Sequence, residues 1–142
     1  MNENGILPED KKVLILCTGN SCRSIIAEAQ INAFIDGVSS HSSGVKASGR
    51  VNLNAKKLLE QKKIWKDEYH SKTIDKVIDN EYDLVITVCD NANETCPMFP
   101  KATKVIHVGF EDPDGKEFDA FLNTYDEIYE TLLPRVKEEL GL

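Results

Sequence analysis

Lys12-Val-Leu-Ile-Leu-Cys17-Thr-Gly-Asn-Ser-Cys-Arg-Ser24-Ile-Ile-Ala-Glu28 is the stretch on which the fold turns. Its first part, Lys12 to Leu16, is a short apolar run of β-formers, the pattern of a parallel strand buried on both faces. Cys17 to Arg23 is small and polar, with Gly19 and Asn20, and reads as a loop. From Ser24 the pattern becomes helical. Ser24 is a suitable N-cap, Ile26, Ala29, Ala33 and Phe34 can share a face, and Asp36-Gly37 ends the helix. Strand, tight loop and helix N-terminus in that order make an anion cradle.

The same alternation continues downstream. Val38 to Ser43 can form a second, Ser-rich strand. Asn54 to Lys63 reads as a helix with Leu58 and Leu59 inward, and Thr73 to Asn80 as a shorter one with Ile74, Val77 and Ile78 on one side. Asp83 to Val88 is a central strand, Cys89 to Pro100 a polar turn-rich segment, and Lys104 to Val108 the last strand. Phe118, Phe121, Leu122, Tyr125, Ile128, Tyr129, Leu132, Leu133, Val136 and Leu140 keep a helical rhythm to the C-terminus, a core stripe. Pro134 should disturb the turn before it. Strands alternating with helices predict an α/β fold, a three-layer sandwich around a four-stranded parallel sheet. Ligands in such sheets sit beyond the carboxyl ends of the strands. Cys17 after the first strand and Cys89 after the third should therefore share one edge.

The composition narrows the classes. The 142 residues fit one domain over 1–142, with 1–11 as an N-terminal extension. Net charge is −7, from 24 acidic and 17 basic residues, which argues against nucleic-acid binding. No apolar run reaches membrane-spanning length, and Met1 to Asp10 lack the features of a signal peptide, so a cytoplasmic protein is expected. Cys17, Cys22, Cys89 and Cys96 are spaced unlike common structural zinc sites, and a cytosolic chain seldom uses cysteines for structural disulfides. Thiol chemistry leads for at least some of them.

The loop carries that chemistry. The strand delivers Cys17, and Gly19 lets successive N–H groups of Thr18, Gly19, Asn20, Ser21, Cys22, Arg23 and Ser24 converge on an oxyanion. The following helix adds its positive end, and Arg23 can hold two oxygens in a fork. The same field favours the Cys17 thiolate, to which the Ser24 hydroxyl can donate. A Cys-x5-Arg spacing alone can arise by chance among four Cys and three Arg. The flanking strand, loop glycine and helix give it meaning.

Cys17-x5-Arg23-Ser24 after an apolar strand resembles the low-molecular-weight tyrosine phosphatase superfamily. The stretch Leu16 to Glu28 resembles its thioredoxin-coupled arsenate reductase branch. Further similar segments are His41-Ser-Ser-Gly44, Thr87-Val-Cys89, Cys96-Pro97 and Gly109-Phe-Glu-Asp-Pro113. The resemblance implies reduction of arsenate to arsenite. Cys17 would be the nucleophile, Arg23 the clamp and Asp112 the general acid. Cys89 would attack Cys17 to expel arsenite, and Cys96 would then carry the disulfide outward as Cys89–Cys96. Thioredoxin or a similar dithiol would regenerate the thiols of a monomeric enzyme. The alternative is a phosphatase that hydrolyses phosphoesters through a cysteinyl-phosphate, and a third class is an oxyanion binder without turnover.

Departures from the phosphatase pattern favour the reductase. Asp114 and Gly115 follow Asp112-Pro113 where those phosphatases carry ring-stacking aromatics, and Ile25 stands where they have Pro. Taken alone, Asp112-Pro113 is also a common turn starter, and Cys89 and Cys96 could be inert thiols. Cys22 is expected to be a supporting residue. Some related reductases hold potassium beside the cradle. Asn20, Glu28 and Ser42 match that pattern and Ser71 could replace a Thr, but Thr73 stands where a carboxylate is expected. No metal or cofactor is expected, and Glu28 is expected to face solvent or bond nearby. His41, His70 and His107 read as structural or surface residues, and Trp65 as half-exposed.

Overall fold

The computed structural model describes residues 10–77, 79–88 and 104–142. Lys11–Cys17 forms β1, and Val13 to Cys17 within it are buried. β1 pairs in parallel with β2 (Val38–Gly44) on one side and β3 (Leu84–Thr87) on the other, and β3 pairs with β4 (Val105–His107). The order β2-β1-β3-β4 gives the expected four-stranded parallel sheet. Alternate β1 side chains explain the unbroken apolar run. Val13, Ile15 and Cys17 join the larger core with Ile25, Ile26, Ala29 and Phe121, whereas Leu14 and Leu16 join Val77, Tyr82 and Val85. The chain goes from β1 to one neighbour and later returns to the other, so the topological switch lies at the carboxyl end of β1. That end is Cys17.

α1 (Arg23–Phe34) is buried almost all round from Ser24 to Ile31. Two expectations fail here. Cys22, not Ser24, occupies the N-cap position and makes no side-chain cap bond, so the first-turn N–H groups stay free for a ligand. Ala33 and Phe34 are exposed instead of facing the core, because the last turn runs past its packed neighbours. Phe34 meets the ring of Tyr129 edge-on at 5.5 Å. Two hydroxyls of the buried, Ser-rich β2 are bonded: Ser40 Oγ donates to the Glu28 carbonyl at 2.9 Å and Ser42 Oγ to the Glu28 carboxylate, whereas Ser43 Oγ has no partner among the described residues. The Asn32 amide bonds both backbone groups of Ser40, closing part of the sheet edge.

α2 (Leu53–Gln61) buries Ala55, Leu58 and Leu59, and the Asn52 side chain caps it by accepting from the amides of Asn54 and Ala55. The helix expected over Thr73 to Asn80 is reduced to one 3-10 turn, Ile74–Lys76. Its ends are committed elsewhere. Thr73 bridges to Gly44, and the Val77 carbonyl accepts from the Tyr82 hydroxyl and the Asn80 amide. The C-terminal stripe folds as α3 (Phe118–Glu127), a π-helical turn Ile128–Leu132, and α4 (Leu133–Leu140). Pro134 has no N–H and would crowd the carbonyl four residues back, so the preceding turn widens. The wide turn leaves Tyr129 exposed, outside the stripe. Gly141, at φ 74°, closes α4 in the left-handed region.

Candidate active site

The loop after β1 is held from outside. The carbonyls of Cys17, Thr18, Gly19 and Ser21 accept from the amides of Val45, Lys46, Ser48 and Asn52 at 2.9–3.1 Å, and the Cys22 carbonyl starts the α1 ladder at Ile26. Ser71 Oγ donates to the Gly19 carbonyl as well, at 3.1 Å. With the carbonyls turned outward, the loop amides are left for the inside. Among the described residues, none of the amides of Gly19, Asn20, Ser21 or Cys22 donates to a backbone carbonyl. This is a nest of donors opening on a helix N-terminus.

Two residues shape the bend. Asn20 sits at φ 51°, a left-handed conformation that Asn tolerates better than most residues. Its side chain is buried and saturated: Nδ2 donates to Ser24 Oγ at 2.8 Å and Ser42 Oγ at 2.9 Å, and Oδ1 accepts from the Lys72 amide at 2.8 Å. Gly44, paired with Cys17 in the sheet, is required by space. A Cβ there would lie 2.6 Å from the Thr18 carbonyl oxygen. The reason for a glycine here, the Thr18 carbonyl, is distant in sequence and shows in no local pattern.

Cys17 lies at the floor of the loop and is buried. Cys22 is buried too, and loss of solvation pushes its thiol up to about 12, partly offset by the Ser21 hydroxyl. It therefore stays protonated, which suits a supporting residue. Arg23 opens α1 beside the loop. Its Nη1 donates to the Phe110 carbonyl at 3.0 Å, and its Nη2 lies 3.4 Å from Asp112 Oδ2. Its Nε is buried and unbonded among the described residues, a cationic donor still needing an acceptor. The Phe110 carbonyl thus fixes one arm of the guanidinium and leaves the Nε edge for an oxyanion. A backbone carbonyl leaves no mark in a sequence, so this strut was not foreseeable.

Asp112 is about half exposed at the mouth, over Arg23. Its Oδ1 also accepts from the Asp114 amide at 3.0 Å, so the turn role and the site role coexist. Asn52 Nδ2 donates to Asp114 Oδ1 at 2.7 Å, which ties the two loops flanking the mouth. Thr18, Gly19, Asn20, Ser21, Cys22, Arg23, Ser24, Cys17 and Asp112 are therefore brought together. Cys89 and Cys96 lie outside the described residues.

Glu28 does not face solvent. It is buried behind the loop and accepts from Ser42 Oγ at 2.5 Å. Burial pushes its carboxyl up to about 7, partly offset by the Lys72 charge and the Ser42 hydrogen bond. The potassium pattern does not fit this arrangement. The Asn20 carbonyl is engaged by Lys72, the Ser42 hydroxyl is locked between Glu28 and Asn20, Thr73 turns its hydroxyl to Asp75, and Lys72 already supplies positive charge near Glu28.

Known proteins agree with this geometry. An arsenate reductase of Bacillus cereus (strain G9842) is 44% identical over 124 residues, covering 86% of this chain and 92% of its own length. The crystal structure of arsenate reductase from Archaeoglobus fulgidus DSM 4304 superposes with a TM-score of 0.75 at 32% identity, covering 92% of this chain and 99% of that one. An arsenate reductase in the phosphate binding state superposes with a TM-score of 0.76 at 27% identity, covering 90% and 98%. The family described as low molecular weight phosphotyrosine protein phosphatase matches residues 12–140, a span that holds the strand, the cradle, Arg23 and Asp112 together. By that match and that geometry, the chain belongs to the low molecular weight phosphotyrosine protein phosphatase family.

Proposed function

We propose that this protein is an arsenate reductase working through Cys17, Cys89 and Cys96. The observation that carries the reading is a sheet register. Leu16 pairs with Thr87, and the Val88 amide donates to the Leu16 carbonyl at 3.0 Å, so β3 delivers the chain beside Cys17. Cys89 is the next residue in sequence. A phosphatase has no use for a thiol there, whereas a reductase needs one. The arsenate reductase relatives described above support the same reading.

The steps balance as follows. The Cys17 thiolate attacks arsenic, and a hydroxide leaves as water with a proton from Asp112. Cys89, as thiolate, attacks the Cys17 sulfur. The S–S bond forms while the S–As bond breaks, leaving its electron pair on arsenic as arsenite. Two sulfurs have then lost the two electrons that As(V) gained. Cys96 attacks Cys89, frees Cys17, and leaves Cys89–Cys96 for thioredoxin or a similar dithiol to reduce. The enzyme works as a cytoplasmic monomer without a cofactor; no helix among the described residues is long and apolar enough to cross a membrane. Arsenic speciation tests the reading: the purified chain with a dithiol reductant should convert arsenate to arsenite over many turnovers. Phosphoester hydrolysis without arsenite production would leave a phosphatase, and tight oxyanion binding without either would leave a binder.

Two substitutions probe the cradle. Arg23→Lys keeps the charge but cannot offer a planar fork, nor reach Phe110 and the oxyanion with fixed geometry. Turnover of arsenate should fall about 100-fold or more while the circular dichroism spectrum is unchanged. A near-normal Lys variant would contradict the clamp. Asp112→Asn removes the proton while keeping an oxygen for the Asp114 amide, so the turn survives. The first chemical step should slow about 10²-fold, with phosphoester hydrolysis falling in parallel. Wild-type rates in stopped flow would reduce Asp112 to a turn residue.

A further inference from the structure

The two loops that flank the mouth are joined by a chain of bonds that begins and ends on the cradle. The Asn52 amide donates to the Ser21 carbonyl at 2.9 Å. Asn52 Nδ2 donates to Asp114 Oδ1 at 2.7 Å. The Asp114 amide donates to Asp112 Oδ1 at 3.0 Å, and Asp112 Oδ2 lies 3.4 Å from Arg23 Nη2. Ser21 and Arg23 stand on either side of Cys22, so the chain closes into a ring. The bond from Asn52 to Asp114 spans the gap between the loops. Its donor cannot turn away freely. Asn52 Oδ1 accepts from the amides of Asn54 and Ala55, which can only donate, so the Nδ2 end is left facing a carboxylate, which can only accept.

We propose that the Asn52–Asp114 bond is a specificity latch across the mouth, selecting a free oxyanion such as arsenate over its organic esters. The proposal rests on the reading of the cradle as the oxyanion site with Cys17 as its nucleophile. Attacking and departing atoms lie in line, so with the sulfur at the floor the departing group points to the mouth. Asp112 stands there. Arsenate loses only a hydroxide, which needs no passage between the loops. An ester carries its organic group at that place, and the group must leave where the latch lies. A groove of about 570 Å³ adjoins the cradle at Ser21, with Asn52 and Asp114 in its wall and the exposed Leu53 giving it apolar surface. Breaking the latch opens the cradle onto this groove, and an organic group gains room. The latch also carries charge. The carboxylates of Asp112 and Asp114 both push up the Cys22 thiol, so the Asp114 charge is felt inside the loop. That charge opposes every anion alike and changes affinity without changing choice.

Binding separates choice from charge without any turnover. Isothermal titration of the full chain with inorganic phosphate and with phenylphosphonate, at a pH where both are dianions, gives the ratio of their dissociation constants. The wild-type chain should favour phosphate. Asp114→Ala should narrow that preference about fivefold, the order of the net contribution of one hydrogen bond. Asp114→Asn keeps an oxygen for Asn52 Nδ2 and loses the charge, so both anions should bind more tightly at an unchanged ratio. Asn52→Ser keeps a capping oxygen for α2 and the amide for Ser21, but has no donor that reaches Asp114. It should narrow the ratio as Asp114→Ala does. An unchanged ratio in either Asp114→Ala or Asn52→Ser overturns the proposal, as does a wild-type chain without preference. A ratio in Asp114→Asn that moves with Asp114→Ala would make charge the selector and overturns it too. A wild-type chain that binds neither anion overturns the oxyanion-site reading itself. One that binds phosphate but forms no arsenite fails as a reductase, a separate failure that leaves the binding ratios to decide the latch.

Discussion

Cys17→Ser is expected to abolish arsenate reduction and any phosphoester hydrolysis together, while the protein still binds oxyanion. The cradle is made of outward-bonded carbonyls, Asn20 and Arg23, none of which depends on the sulfur. The substitution exchanges one buried atom, and isothermal titration with phosphate should show binding within a few-fold of wild type. Chemistry is another matter. A serine hydroxyl is not ionised by a field that suffices for a thiol, since it starts several pH units further away. It also cannot give up electrons, so no arsenite can form by this route however well arsenate is held. Reduction above a tenth of the wild-type rate would place the nucleophile elsewhere.

The second large effect concerns the relay. Cys89→Ser should stop turnover before arsenite is released, because no thiol remains to displace it from Cys17. Cys96→Ser should permit one turnover and then stall as a Cys17–Cys89 disulfide, which peptide mass mapping detects. Phosphoester hydrolysis should survive both changes, since water and not a second thiol completes it. This pattern, reduction lost and hydrolysis kept, is what separates a reductase from a phosphatase on the same scaffold. Loss of both activities in either variant would mean that the change damages the cradle. Retention of reduction in both would remove the relay.

Residues differ in how openly they declared their place. The strand ending at Cys17 was legible because burial on both faces demands an unbroken apolar run, and Leu84 to Thr87 declared itself for the same reason. The strand Val38–Gly44 was faint because serines line it. Ser40 and Ser42 are buried by bonding to Glu28 and Asn32, which lie on another element. Ser24 reads as the cap because it is the strongest capping residue nearby, whereas the cap lies two residues earlier, at Cys22, and is left without a side-chain bond. Of the two places the sequence allows Glu28, solvent or a nearby hydrogen bond, the structure has the second; its burial is not legible because its partner Ser42 lies on another strand. Side-chain periodicity extends the turn at Ile74 into a helix because it ignores backbone groups committed to Gly44 and Tyr82. The cradle and Asp112 were readable as residue types at a spacing. The Phe110 carbonyl that steadies Arg23 was not, because backbone atoms are common to every residue.

Counting free thiols before and after a single arsenate turnover, with no external reductant, tests the central claim most directly. The wild-type chain holds four cysteines. A reductase must oxidise two sulfurs for each arsenate reduced, so titration under denaturing conditions should show the loss of two thiols per chain. Mapping should then place the new disulfide between Cys89 and Cys96. An unchanged thiol count after arsenate has been consumed, or arsenate left unreduced by the fully reduced protein, would contradict the account.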